Sequence, residues 1–82
     1  MGDGDRDGRL KAFGSVVRSR RLAIGLSQEE LAHRCGLDRT YVGGVERDER
    51  NLSLLNLLAI ARALDFTAEE LMRAFEGEVR HE

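Results

Sequence analysis

The chain has 82 residues, which is enough for one small domain and too few for two. Proline is absent and aromatic residues make up only 5% of the sequence, so helix is favoured almost everywhere and we predict an all-α fold class. The net charge of −2 neither identifies nor excludes a nucleic-acid partner, because attraction to phosphate depends on the local patch more than on the total.

Cysteine content and hydropathy indicate the cellular compartment in which the protein works. The single cysteine, Cys35, cannot form an internal disulfide, and the first eight residues, MGDGDRDG, lack the apolar core of a secretory signal. The most apolar run, residues 52–64, falls well short of the ~20 apolar residues that span a membrane. We therefore expect a cytoplasmic protein with no membrane partner.

The first third of the chain predicts an arm and one helix. Residues 1–8 alternate glycine with aspartate and offer little to bury, so we expect a disordered N-terminal arm, with the folded domain over residues 9–82. Apolar residues recur at near-helical spacing from Arg9 to Ile24, and Gly25 suits the position just past a helix end.

The middle third predicts two short helices. The stretch Ser27–Glu30 is a capping box, so the second helix begins at Gln28, and it ends at Gly36. Asp38 is a suitable N-cap for a third helix, Arg39 to about Arg47. A turn of three or four residues therefore joins these two helices.

The last third predicts two further helices. Ser53 caps the fourth helix, for which we predict an inner face of Leu54, Leu57, Leu58, Ala61 and Leu64. Thr67–Glu70 is a second capping box and starts the fifth helix. Its apolar stripe comprises Leu71, Met72, Phe75 and Val79.

The second and third helices have the arrangement that places a recognition helix in the major groove of DNA. Counted from Gln28, the fifth residue is Ala32, where crossing helices leave room only for a small side chain, and the ninth is Gly36, where the turn needs a left-handed residue. The apolar slots hold Leu31, Cys35, Leu37, Val42 and Val45. The match predicts a DNA-binding helix-turn-helix.

The segment GLSQEELAHRCGLDRTYVGGVERDERNLSLLNLLAIARAL resembles the helix-turn-helix domain of phage repressor and XRE-type regulators. Within that family, LDRTYVGGVERDERNLS is most similar to the controller proteins of restriction-modification systems. The resemblance covers about residues 13–75. It implies a five-helix, lambda-repressor-like bundle that forms a homodimer, binds a palindromic operator on double-stranded DNA and regulates its own promoter.

The resemblance also implies which residues contact DNA. Base contacts are expected from Arg39, Thr40, Gly43 and Arg50, and backbone contacts from Ser27, Gln28, Tyr41, Arg47 and Asn51. Arg39 suits bidentate hydrogen bonding to guanine. The alternative for the arginines is a solvated surface position, and for Tyr41 it is packing at the edge of the helix interface.

Two adjacent glycines interrupt the predicted recognition helix, although each costs about 1 kcal/mol relative to alanine. We expect Gly43 and Gly44 to let the backbone approach the DNA, or the helix approach its neighbours. The family often has serine at the position of Gly43, and this departure leaves the operator sequence open.

Two structural contacts are implied in the same way. Arg21 and Glu46 match a family ion pair that bridges the first helix to the end of the third. The dimer interface is expected in the C-terminal region and to include Leu64, Leu71, Met72 and Phe75. An intramolecular core is the alternative for this apolar stripe.

The predicted function is sequence-specific regulation of transcription, with RNA polymerase as a further partner and the sign of regulation open. A phage repressor or antitoxin-type regulator is one alternative, and a protein-interaction module with the same fold and no DNA binding is another. Cys35, His33 and His81 do not make a metal site, and no catalytic constellation can be assembled. We therefore expect no enzyme activity, cofactor or small-molecule ligand.

Overall fold

The computed structural model describes residues 3–47 and 52–80, and within these ranges the chain forms five helices and no strand. The helices are α1 (Asp3–Ala23), α2 (Gln28–Cys35), α3 (Arg39–Glu46), α4 (Leu54–Ala63) and α5 (Ala68–Arg80). The predicted all-α, five-helix architecture is confirmed. None of the helices in this part of the chain is long and apolar enough to cross a membrane.

Helix α1 begins at Asp3, six residues before the predicted start at Arg9. The structure thus differs from the disordered arm expected for residues 3–8, while residues 1 and 2 lie outside the described ranges. A segment with nothing to bury does not nucleate a helix by itself. It can extend one that packing has already formed further along, because propagation costs far less than nucleation.

The two predicted capping boxes start α2 and α5. The amide of Ser27 donates to Glu30 Oε1 at 2.8 Å, and the amide of Glu30 donates to Ser27 Oγ at 3.0 Å. The corresponding distances between Thr67 and Glu70 are 2.8 and 3.1 Å. Each box satisfies two backbone amides that a helix start leaves unpaired.

The core lies where α1 packs against α3 and α5, α2 against α3 and α4, and α4 against α5. Its largest fully buried side chains are Leu31, Ile60, Leu64, Leu71, Val17, Val42 and Val45. Phe13 of α1 meets Phe75 of α5 edge to face, with ring centroids 6.3 Å apart. Every helix of the described chain therefore contributes to one continuous core.

Helix α4 presents a different face to this core from the one predicted. Ile60 and Ala61 are buried, but Leu54 is 70% exposed and Leu58 is 41% exposed. Leucine lies on several sides of α4, so apolar periodicity alone could not select the buried face. The prediction was correct for Ala61 and Leu64 and for Leu57, which is half-buried against the core, and wrong for Leu54 and Leu58.

Two arginines from the N-terminal helices hold the C-terminal end of α4. Arg20 Nε donates to the carbonyl oxygen of Leu64 at 2.9 Å, and its guanidinium lies 4.6 Å from the ring centroid of Phe66. Arg34 Nη1 donates to the carbonyl oxygen of Ala63 at 3.3 Å. Positive charge at a helix C-terminus is favourable, so these contacts fix α4 against α1 and α2.

Candidate nucleic-acid interface

The turn between α2 and α3 has the predicted geometry. Gly36 adopts a left-handed conformation with φ of 70°, and its amide donates to the carbonyl oxygens of Ala32 and His33. The amide of Leu37 donates to the Ala32 carbonyl oxygen at 2.9 Å. Ala32 itself is 3% exposed, as expected for a small side chain between packed helices.

A buried ion pair fixes the far end of α3 against α1. Arg21 donates to both carboxylate oxygens of Glu46, at 2.7 and 3.0 Å, and to the carbonyl oxygen of Leu26 at 2.8 Å. The two side chains are only 10% and 4% exposed. The hydrogen bonding that Arg21 donates to Glu46, more than the attraction of the Glu46 charge, raises the pKa of Arg21, and burial opposes the rise. The ion pair implied by the resemblance is present.

The same carboxylate also holds α2. Gln28 Nε2 donates to Glu46 Oε1 at 3.1 Å, so one carboxylate joins α1, the start of α2 and the end of α3. The predicted phosphate contact of Gln28 would therefore come from a side chain that is already oriented. Ser27 is exposed at the same helix start, with its Oγ accepting from Glu30.

The start of α3 presents polar side chains to solvent. Asp38 caps the helix by accepting from the amide of Thr40 at 3.0 Å. Arg39 and Thr40 are both exposed. The Asp38 cap and the Arg21–Glu46 pair hold the backbone of α3, so the helix presents these two side chains to solvent, as a recognition helix requires.

Tyr41 is half-buried and packs against the core, which favours the packing alternative for this residue. Its hydroxyl oxygen accepts from Asn56 Nδ2 at 3.1 Å. This bond joins the first turn of α3 to the first turn of α4. The phenolic group is thus part of the scaffold, and its contact with a DNA backbone remains a prediction.

Gly43 corrects one sequence prediction. It is buried, so its backbone does not present a surface to a base edge in this conformation. A Cβ built on Gly43 would lie 3.0 Å from Nη1 of Arg47 and 3.7 Å from Oε1 of Gln28. Gly44 is buried as well, which agrees with the expected approach of α3 to its neighbours. Arg47, at the end of α3, is exposed.

The remaining predicted DNA contacts, Arg50 and Asn51, lie outside the described residues. Within those residues, no group of three or more histidine, cysteine, aspartate or glutamate side chains could hold a metal ion. Cys35 is half-buried against the core, and burial raises the pKa of its thiol. It fills the apolar slot that the sequence assigned to it.

The predicted dimer residues divide into two groups. Leu64 and Leu71 are fully buried within the single chain, so they cannot contact a second copy and that prediction was wrong. Phe75 is half-buried against Phe13, and Met72 is 36% exposed. Within the apolar stripe of α5, Leu71 and Phe75 therefore pack inside the single chain, whereas Met72 and Val79, which is 38% exposed, lie at the surface.

The two most exposed of the large apolar side chains that the structure describes lie instead at the start of α4, where Leu54 is 70% exposed and Leu55 is 77% exposed. Leu58, one turn further on, is 41% exposed. We call these three residues the α4 leucine face. The sequence indicated such a face, since a helix with leucine on several sides has more apolar surface than one core buries.

A short helix, a glycine turn and a second short helix with exposed polar residues at its start define a helix-turn-helix protein. Residues 17–71 match the family model described as helix-turn-helix. The control protein C.SmaI of Serratia marcescens is 50% identical over 56 residues, which cover 68% of this chain and 67% of that protein. The chain belongs to the helix-turn-helix family and, within it, to the controller proteins of restriction-modification systems.

Solved structures of controller proteins share this fold. C.AhdI from Aeromonas hydrophila is 58% identical with a TM-score of 0.73, and the match covers 76% of this chain and 94% of that one. Wild-type C.Esp1396I is 32% identical with a TM-score of 0.85, covering 90% and 96%. C.Esp1396I has also been solved as a tetramer in complex with its natural 35 base-pair operator. Its solved variants replace three consecutive residues, an arginine, a threonine and a tyrosine.

Proposed function

We propose that the protein is a dimeric transcriptional regulator of the controller type, which binds a palindromic operator through α3 and regulates its own restriction-modification operon. The observation that carries the proposal is the exposed start of α3, Arg39 and Thr40, on a scaffold locked by the Arg21–Glu46 pair. The consecutive arginine, threonine and tyrosine replaced in C.Esp1396I support it, because residues 39–41 have the same types in the same order.

Arg39 reads sequence in this proposal. Side chains at the N-terminal end of a recognition helix reach base edges in the major groove, and a guanidinium matches O6 and N7 of guanine with two parallel hydrogen bonds. Such a contact discriminates against other bases by about 1–3 kcal/mol. Thr40, one residue further on, suits a thymine methyl group or a phosphate oxygen.

Residues around the start of α2 and the end of α3 contact the DNA backbone. Ser27 and Gln28 lie at the positive end of the α2 dipole, where phosphate is favoured, and Arg47 adds a full charge close by. Further along the chain, Asn51 remains a predicted backbone contact and Arg50 a predicted base contact. The backbone contacts fix the register of the protein without reading sequence.

The second copy binds at the α4 leucine face. Three exposed leucines in the first two turns of a helix are costly in water, and burying each stabilises an assembly by about 1.5–3 kcal/mol when burial is complete. The tetrameric assembly of C.Esp1396I on its operator supports a partner of the same kind. A two-fold dimer presents its recognition helices about 34 Å apart, one turn of DNA, which is why the operator is palindromic.

The regulator works in the cytoplasm, where it blocks or recruits RNA polymerase, and has no catalytic activity of its own. Occupancy of the operator is expected to follow protein concentration. This fits a regulator that times its own operon.

The test is binding of the purified protein to its own upstream DNA and to a random duplex, each at two salt concentrations. We expect tighter binding to the upstream DNA, with affinity falling as salt rises. Arg39→Ala is expected to lower affinity for the upstream DNA by about tenfold or more and to leave the random duplex less affected. Arg73→Ala is the matched control, since that side chain is 78% exposed on α5 and carries the same charge.

Each other outcome has a distinct reading. Equal losses from Arg39→Ala on both duplexes would assign this arginine to phosphate and not to a base. No preference of the wild type for upstream DNA would exclude autoregulation. No binding to any duplex would overturn the proposal and favour the interaction module.

A further inference from the structure

We propose that Gly43 is a positioning residue for Arg47. Because Gly43 has no side chain, the Arg47 guanidinium lies over it, near Gln28, and is oriented towards the DNA backbone. We call this space over Gly43 the seat. The inference rests on the proposed function and deepens it. It assigns to Gly43 an indirect role in place of the direct base contact that its burial opposes.

The geometry of α3 explains why these two residues meet. Arg47 follows Gly43 by four residues, and its amide donates to the Gly43 carbonyl oxygen at 3.0 Å, so both lie on one side of the helix end. Helical side chains lean towards the N-terminus and cover the preceding turn. The Arg47 side chain therefore extends over Gly43.

The space at Gly43 is bounded by side chains. The three nearest atoms to a Cβ built there are Arg47 Nη1 at 3.0 Å, Gln28 Oε1 at 3.7 Å and Arg47 Cζ at 3.8 Å. A contact of 3.0 Å is too tight, but the atom in the way is the end of a flexible side chain. A methyl group at residue 43 would thus move the guanidinium and leave the helix intact.

The seat brings together two of the proposed backbone contacts. Gln28 is held in place by its hydrogen bond to Glu46, and the guanidinium of Arg47 lies against the same point on α3. A charge that is already positioned loses less conformational freedom on binding than one that is solvated. The preorganised guanidinium of Arg47 therefore offsets the helix-propensity penalty of Gly43.

A double-mutant cycle tests the inference on DNA. Arg47→Ala is expected to weaken binding to upstream and random duplexes by the same factor, about three- to tenfold, and to lower the salt dependence by about one phosphate contact. Gly43→Ala is expected to show a smaller loss of the same kind without a lower melting temperature. Since it acts through Arg47, Gly43→Ala should have no further effect when Arg47 is already alanine.

Gly77→Ala is the control for helix propensity. Gly77 also lies inside a helix, but a Cβ there meets nothing within 4 Å. Alanine should raise the melting temperature and leave DNA affinity unchanged. If Gly43→Ala lowers affinity equally with and without Arg47, its role is structural and the inference is overturned.

A measurement without DNA separates this inference from the proposed function. Through-space NMR contacts are expected between the Hα protons of Gly43 and the side-chain protons of Arg47 in the free wild-type protein, and their absence would overturn the seat. If the wild type binds no duplex while these contacts are present, the proposed function fails and the seat stands as a structural feature without a DNA role.

Discussion

The starts of α3 and α4 are alike in construction and opposite in chemistry. Each helix begins after an N-cap side chain that accepts one backbone amide, Asp38 in one case and Ser53 in the other. Each then exposes two residues, which are Arg39 and Thr40 on α3 and Leu54 and Leu55 on α4. One start suits a hydrated polyanion, and the other suits an apolar partner.

The third residues of these helices join the two surfaces. Tyr41 and Asn56 occupy equivalent positions after their N-caps and hydrogen-bond to each other at 3.1 Å. In α2 and α5 the equivalent positions hold Glu30 and Glu70, which complete capping boxes. The starts of α2 and α5 are therefore closed by their own capping boxes, whereas the starts of α3 and α4 are joined to each other.

The largest expected effect comes from breaking the Arg21–Glu46 ion pair, which holds the end of α3. Glu46→Ala should lower the free energy of unfolding by about 3–5 kcal/mol, because it leaves the Arg21 guanidinium buried without its partner. Denaturation by urea at fixed protein concentration, followed by circular dichroism, measures the change.

The exposed pair on α5 is the control for that measurement. Arg73 and Glu69 are as close as 2.8 Å, but their side chains are 78% and 74% exposed. Glu69→Ala should therefore cost no more than about 0.5 kcal/mol. Similar losses in both variants would mean that the Arg21–Glu46 pair does not anchor the recognition helix.

The α4 leucine face is expected to control association and not folding. Leu55→Asp should raise the dissociation constant of the dimer by about tenfold or more, since it puts a charge into an apolar interface. The fold should tolerate it, because the side chain is 77% exposed in the single chain. Sedimentation equilibrium over a range of concentrations gives the constant.

Leu22→Asp provides the comparison for this change. Leu22 is 57% exposed near the end of α1, so Leu22→Asp replaces an exposed leucine by the same charge outside the α4 leucine face. We expect its dimer constant to match the wild type. Weakening by Leu22→Asp alone would move the interface to α1.

Local rules predicted the helix starts and the turn because each depends on a few neighbouring residues. Ser27, Thr67 and Gly36 could be assigned from spacing alone, since hydroxyl caps and left-handed turns have strict chemical requirements. The Arg21–Glu46 pair joins residues 25 apart in the chain, and it was found only through the family resemblance.

Burial of the apolar helices could not be predicted in the same way. Leu64 and Leu54 look alike in sequence, yet one is fully buried and the other is 70% exposed. The difference arises from where α2 and α5 pack against α4, which no local pattern contains. The seat at Gly43 was missed for a similar reason, because a glycine in sequence does not reveal which side chain fills its space.

The smallest expected effect concerns the two capping boxes, which lie in different halves of the scaffold. The backbone amide of Ser27, with help from its hydroxyl, lowers the pKa of Glu30 below its usual 4.5, and Thr67 does the same for Glu70. A lowered folded pKa contributes stability that is present above the unfolded value and is lost as pH falls through the folded one. Glu30→Gln combined with Glu70→Gln should therefore flatten the loss of stability below about pH 4.5, measured by urea denaturation across that range.

Glu29→Gln combined with Glu76→Gln removes the same charge outside the boxes, and an equal flattening there would assign the acid sensitivity to overall charge. If only Glu30→Gln flattens the curve, the box at α2 is the one coupled to global unfolding, and the start of α5 frays before the helix-turn-helix opens.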